Sequence, residues 1–213
     1  MGSKWVFHVK KDGTGNIIQY KACLIAQGFS QVPGIDYFDT FAPIAKLVLI
    51  QSVLALAATD NFELHQIDIK GAYLNGELTN REVIYMQQPP GYHAPNSSRF
   101  VCRLRKTLYG LGQSGQCWYQ KLVDIMVTHL GFQWCDVDQA VFFHREGRAI
   151  IIVLVHIDDC TVAAISIMLI ANFKIQIAKH VQITNLGKLH WLLGIKIKHD
   201  HKRRTLHLSQ HLL

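Results

Sequence analysis

Residues 150–155 are six consecutive apolar side chains; the run stops at His156-Ile157-Asp158-Asp159 and resumes as Cys160-Thr161-Val162-Ala163-Ala164. Two adjacent carboxylates therefore stand between two strand-like segments. Burying one unpaired carboxylate is prohibitively costly, so a pair at the tip of such a ribbon implies cations nearby, most economically divalent metal. That combination points to metal-dependent chemistry on phosphates. The bland alternative is a solvated hairpin turn, because Asp favours turns through its side-chain-to-backbone hydrogen bonds.

A second acidic position lies far upstream. Residues 62–69 alternate with period two, setting His65, Ile67 and Ile69 on one face and Leu64, Gln66 and Asp68 on the other. Asp68 thus ends a strand and points away from the Ile face. Three carboxylates on two strands could hold two divalent ions about 3.5–4 Å apart for in-line nucleotidyl transfer, the constellation of a polymerase palm. Tyr73 follows Asp68 closely enough to sit beneath an incoming nucleotide's sugar and exclude a 2′-hydroxyl, or simply to pack.

Ordered blocks along the whole chain carry a resemblance. They begin with Lys4-Trp5-Val6-Phe7, Tyr20-Lys21-Ala22, Gly28-Phe29-Ser30-Gln31, Gly34-Ile35-Asp36-Tyr37 and Thr40-Phe41-Ala42-Pro43. His65-Gln66-Ile67-Asp68-Ile69-Lys70-Gly71-Ala72-Tyr73-Leu74-Asn75-Gly76 and Leu108-Tyr109-Gly110-Leu111 with Gln113-Ser114 follow, then Trp118-Tyr119, Asp138-Gln139-Ala140, the 156–159 block, Asn185-Leu186-Gly187 and Leu192-Leu193-Gly194. Together they resemble the reverse transcriptase domain of copia-type long-terminal-repeat retrotransposons. A lone Asp-Asp would be a weak signal; this many blocks in order is a strong one.

The resemblance implies an α+β fold: the palm and fingers of a right-hand polymerase, an antiparallel sheet with packed helices, and no thumb or ribonuclease H. Residues 1–213 would be one reverse transcriptase region, truncated at both ends relative to the full polyprotein. It implies Asp68, Asp158 and Asp159 as catalytic and metal-binding carboxylates, with Mg2+, or Mn2+ in its place, as cofactor. Tyr73 would discriminate the sugar and Gln113 would be a pocket residue touching the incoming nucleotide. Lys10 or Lys11 would reach its triphosphate, unless they are solvated hairpin lysines. The implied partners are a primed RNA or DNA template and deoxynucleoside triphosphates, with no membrane. The implied location is intracellular, in cytoplasmic virus-like particles or the nucleus, and not secreted.

Departures from the family pattern matter too. His156 takes a position usually held by Tyr, Cys23 one where Arg is expected, and Gln27 and Gly112 positions where Lys is common. A thiol cannot replace a bidentate guanidinium, so phosphate binding should weaken. The second hypothesis is therefore a catalytically silent relic that still binds nucleic acid, and the third a structural or interaction domain of a larger assembly.

Charge agrees with a nucleic-acid partner: 22 basic against 15 acidic residues give a formal +7. Lys196, Lys198, Lys202, Arg203 and Arg204 cluster in a predicted hairpin that turns through Asp200, where one face would pack and the other meet phosphates. A solvated basic turn is the competing reading.

The five cysteines show no Cys-x-x-Cys spacing, so neither a zinc site nor a disulfide framework is indicated, and the twelve histidines include no His-Glu-x-x-His. His199 and His201 could share a strand face and catch a transition metal. No signal peptide opens the chain, Val6 stands where myristoylation favours Ser or Thr, and Asn96-Ser97-Ser98 reads as a polar loop. The spacing predicts a hairpin from 5–9 and 17–27, turning at 12–16, and a core helix over 43–59 with stripe Leu47, Ile50, Val53, Leu54 and Ala57. A second helix follows Gln113, capped by Ser114, ended by Gly131 and facing inward through Trp118, Leu122, Ile125, Met126 and His129. Strands at 141–143 and 150–155 and a helix over 167–180 complete an α+β reading.

Overall fold

The computed structural model describes residues 1–11, 15–79, 82–95 and 100–210. The centre of the first predicted turn and the Asn96-Ser97-Ser98 loop lie outside the described residues. In chain order the strands and helices are β1 (Ser3–Lys11), β2 (Ile17–Ala26), α1 (Leu47–Thr59), β3 (Glu63–Ile69), β4 (Tyr85–Gln87), β5 (Val101–Arg103) and α2 (Ser114–Val123). They continue as β6 (Gln133–Cys135), β7 (Asp138–Glu146), β8 (Ala149–His156), β9 (Asp159–Ala164), α3 (Ile167–Ile177), β10 (Ile183–Lys188), β11 (Trp191–Leu192), β12 (Ile195–Asp200) and β13 (Thr205–Ser209). The fold is α+β. It divides into two compact units, Met1–Ala42 with Tyr73–Lys121, and Pro43–Ala72 with Leu122–Leu213.

In the second unit, six antiparallel strands lie in the order β10-β3-β9-β8-β7-β6. The sheet is covered on both faces, which is why β8 and β9 read as continuous apolar runs rather than alternating ones. On one face α1 buries Ile50, Val53, Leu54 and Ala57 against Leu64, Ile152, Leu154 and Ala163. On the other, Lys174 of α3 reaches His65 of β3, and Ile170, Phe173 and Ile177 of that helix are buried. Ile67 and Ile69 are fully buried, each contributing roughly 1.5–3 kcal/mol on transfer from water. A second sheet, β11-β12-β13, adds Leu192 and Ile197 to the core beneath α1.

The predicted helix over 43–59 begins later than its sequence suggests. Ala45 N–H donates to the Val155 carbonyl (3.1 Å), so the chain just before α1 is still hydrogen-bonded to β8. Lys46 is extended, and its N–H is held by the carboxylate of Asp138 (2.8 Å). That buried carboxylate also accepts its own strand's Ala140 N–H (3.0 Å), fixing where the helix can start.

The 114–130 helix is present, but it widens into a π-helical turn over Asp124–His129 before Gly131, at φ +70°, ends it. Ser114 does not cap it; its hydroxyl donates to the Leu108 carbonyl (2.5 Å) and ties down the preceding turn. His129 lies outside the buried stripe, exposed and stacked on His180 at 4.6 Å.

The first unit holds two two-stranded ribbons, β1-β2 and β4-β5, over a small core of Ala26, Ile84, Met86 and Leu111. Register gives the β1-β2 ribbon two different faces. Trp5, Phe7 and Val9 sit across from Leu24, Ala22 and Tyr20, whereas Lys4, His8 and Lys10 sit across from Ile25, Lys21 and Gln19.

Candidate active site

β8 and β9 are joined by the two residues Ile157 and Asp158, with His156 and Asp159 as the last register pair. Such a turn needs a positive φ at its first central position, usually glycine's place. Ile157 occupies it at φ +61°. For a β-branched side chain that conformation costs about 1–2 kcal/mol, and strain of this kind gathers at functional sites.

The turn sets the carboxylates. Asp159, first residue of β9, is the register partner of Asp68 on β3. Asp158 stands in the turn, and its carbonyl accepts the Ile69 N–H (2.7 Å), which pins the turn to the end of β3. The three side chains are therefore neighbours, and all are half-buried. Burial, then the charges of Asp158 and Asp68, push the Asp159 carboxyl above its ordinary range, while a long bond from Gln66 Nε2 (3.4 Å) partly offsets this. Burial also raises the pKa of the thiol of Cys160, directly behind the turn.

Among the described residues no Lys or Arg is ion-paired with any of the three. Like charges opposed across an antiparallel pair cost roughly 0.2–1 kcal/mol. The apolar burial of β8 and β9 exceeds that several-fold, so the fold tolerates the repulsion. The donor set, carboxylate oxygens with uncompensated charge, fits a hard divalent cation. No three His, Cys, Asp or Glu side chains among the described residues converge closely enough to hold a metal ion in this conformation. The carboxylates are thus grouped but not closed into a ligand set, and the same holds for His199 and His201, whose rings meet tilted with centroids 3.9 Å apart.

The other predicted residues are distributed as follows. Tyr73 lies in a 3-10 turn, its ring 5.0 Å from that of Tyr109 and its carbonyl accepting the Thr107 hydroxyl. Lys10 and Lys11 are exposed at the end of β1, with a register irregularity between them. Cys23 is half-buried opposite Val6 in the β1-β2 ribbon.

Gln113 is placed differently from a side chain reaching for a ligand. It is fully buried; its Nε2 donates to the Asp36 carbonyl (3.1 Å) and its Oε1 accepts from Gln31 Nε2 (3.0 Å). Sequence reasoning passed over Gln31, whose signal was only its place in a matching block. Gly112 lies against the ring of Tyr37, where an added Cβ would come within 3.3 Å.

At the far end of the second unit, Lys196 and Lys198 share one face of β12 with His207 opposite Lys198, all exposed. Lys202, Arg203 and Arg204 form the exposed turn. The Asp200 carboxylate organises that turn by accepting the Lys202 and Arg203 N–H groups (3.0 and 3.1 Å), and these bonds lower its pKa.

Among the described residues no helix is long and apolar enough to cross a membrane. The family model described as reverse transcriptase (RNA-dependent DNA polymerase) matches residues 1–212. The retrovirus-related Pol polyprotein from transposon TNT 1-94 of Nicotiana tabacum is 38% identical over 97% of this chain, which spans 15% of that protein. The corresponding polyprotein from transposon RE1 of Arabidopsis thaliana is 35% identical over 99% of the chain, and the chain spans 14% of it. The transposon Ty1-BR Gag-Pol polyprotein of Saccharomyces cerevisiae is 28% identical over 94% of the chain, which spans 11% of it. A family match over almost every residue, together with these relatives, places the chain: it belongs to the reverse transcriptase (RNA-dependent DNA polymerase) family, in the form carried by the Pol polyproteins of copia-type retrotransposons.

Proposed function

We propose that this chain carries out template-directed addition of deoxynucleotides to a primer 3′-hydroxyl, copying RNA or DNA. The observation that carries the reading is the register pairing of Asp68 with Asp159, with Asp158 in the adjoining turn. In this reading the second unit serves as palm and the first as fingers.

Bound Mg2+ or Mn2+ would lower the pKa of the primer hydroxyl and neutralise charge on the triphosphate and departing pyrophosphate. Asp68 and Asp158 are the ligands most directly concerned, and Asp159 completes the set. The strained turn at Ile157 holds the pair at the end of β3. Tyr73 sits beneath the sugar and excludes a 2′-hydroxyl, and Lys10 or Lys11 attracts the triphosphate. Gln113 belongs to the nucleotide pocket as part of its wall. Lys196, Lys198, Lys202, Arg203 and Arg204 face the nucleic-acid backbone.

The test is primer extension on a primed RNA template in magnesium and in manganese, with Asp158→Asn alongside. Extension lost in the variant supports the assignment; extension unchanged by it refutes the carboxylates' role. No extension by the parent chain, with salt-sensitive template binding retained, would instead identify a silent nucleic-acid-binding domain, the outcome toward which the neutral residues Cys23, Gln27 and Gly112 lean.

A further inference from the structure

Two buried glutamines, Gln31 at 8% exposure and Gln113 at 0%, meet in the first unit. Burying an amide leaves four hydrogen-bonding positions to satisfy, so a pair of this kind persists only where partners are arranged for it. Here they are. Gln31 Nε2 donates to Gln113 Oε1 (3.0 Å), while Gln31 Oε1 accepts the Gly112 N–H (2.9 Å). Gln113 Nε2 donates onward to the Asp36 carbonyl (3.1 Å).

Asp36 in turn closes its own loop: its carboxylate accepts the Val32 N–H (2.7 Å) and its N–H donates to the Val32 carbonyl (2.9 Å). The reach is short because the two segments touch backbone to backbone. Ala26 N–H donates to the Tyr109 carbonyl (2.8 Å), and a Cβ on Gly28 would collide with the Gly110 carbonyl. Residues 26–37 and 109–113 are thereby one hydrogen-bonded body, with Gln31 at its centre.

We infer that Gln31 is a positioning residue for nucleotide binding: it fixes Gln113 and the Gly112 N–H, and through them the pocket wall. This rests on the reading of Gln113 as part of that wall. Gln31 itself touches neither nucleotide nor metal, and its effect should fall on nucleotide affinity rather than on the chemical step.

The experiment is steady-state primer extension by the parent chain and by Gln31→Met, which keeps the volume and removes both hydrogen bonds. Ile84→Val, a core truncation in the same unit, controls for stability, and Asp158→Asn controls for the reaction. Gln31→Met should raise the KM for deoxynucleotide about five- to tenfold, the factor equivalent to one lost net hydrogen bond, with kcat nearly unchanged. Ile84→Val should not. Gln31→Met combined with Gln113→Met should be no worse than Gln113→Met alone, since both act through one contact. Gln31→Asn, too short to hold both partners, should shift KM in the same direction.

An unchanged KM in either folded Gln31 variant, while Asp158→Asn abolishes extension, overturns the inference and leaves the polymerase reading standing. An equal KM rise in Ile84→Val also overturns it, as does failure of both Gln31 variants to fold, because Gln31 would then be structural only. Absence of extension in the parent overturns the polymerase reading, and the inference with it.

Discussion

Asp68 and Asp159 face one another across β3 and β9 with no cationic side chain among the described residues paired to either. Repulsion across that pair should make the metal-free protein less stable than a variant lacking one charge. Asp159→Asn is expected to raise stability by roughly 0.2–1 kcal/mol in chelator. Added Mg2+ should reverse the order, since a cation bound only by the folded parent adds about 2.7 kcal/mol at a hundredfold excess over its dissociation constant. Urea unfolding of both proteins with and without Mg2+ decides this. Equal Mg2+ stabilisation of parent and variant would remove Asp159 from the ligand set.

The carboxylate of Asp138 governs where α1 starts, because it holds the Lys46 N–H from outside the helix (2.8 Å). Asp138→Ala should cost about 1–3 kcal/mol, the range for a lost cap with a buried donor left unsatisfied. Asp138→Asn, which keeps an acceptor, should cost less. Unfolding midpoints give the answer, and an Ala variant as stable as the parent would show that α1 starts without this contact.

That contact also explains what was legible in the sequence and what was not. The apolar runs around Asp158 and Asp159 and the alternation ending at Asp68 report local strand geometry, and they placed Asp68 on β3 and the Asp158-Asp159 pair at the tip of the β8-β9 hairpin, where Asp158 stands in the turn and Asp159 opens β9. Of the stripe Leu47, Ile50, Val53, Leu54 and Ala57, the last four found the buried face of α1, whereas Leu47, the first residue of the helix, is exposed. The start of α1 was missed because it depends on Asp138 and on the Val155 carbonyl, both remote in sequence. β10 was not foreseen, since Asn185 and Gly187 look like loop residues and are tolerated there at a register irregularity on the sheet edge. Burial of Gln113 was equally invisible: its partner Gln31 is an ordinary polar residue until the fold brings them together.

Two histidines make stability depend on pH in a definite direction. His65 is held below its ordinary pKa by burial and by Lys174, which approaches Nδ1 to 2.9 Å; Lys188 acts in the same sense and Glu63 opposes. Burial and the neighbouring His201 similarly lower His199, with Lys188 acting alike and Glu63 and Asp200 opposing. With folded pKa values below the unfolded value of about 6.5, the unfolded chain binds more protons in this window, so stability rises with pH. Acidification from pH 7.5 should therefore lower Tm, beginning near pH 6.5 and levelling off once pH falls below the folded values. His65→Gln with His199→Asn should flatten that slope. A double variant with the parent's full Tm loss would assign the acid sensitivity to other groups.

The β12-β13 hairpin carries its charge in two arrangements: Lys196 and Lys198 on a strand face, and Lys202, Arg203 and Arg204 in an exposed turn. Only groups that neutralise phosphates release counterions, and each such contact contributes about 0.9 to the slope of log affinity against log salt on duplex, and about 0.7 on single strands. A hairpin that meets the nucleic-acid backbone should lose about one such increment for each contacting cation removed. Lys196→Gln with Lys198→Gln should then weaken template binding and flatten the salt dependence by about 1.4–1.8. Lys202→Gln, Arg203→Gln and Arg204→Gln together separate the turn from the face. Fluorescence anisotropy of a labelled primer–template across a salt series measures both quantities. A slope untouched by both sets would make the hairpin a solvated basic turn and move the nucleic-acid surface elsewhere on the chain.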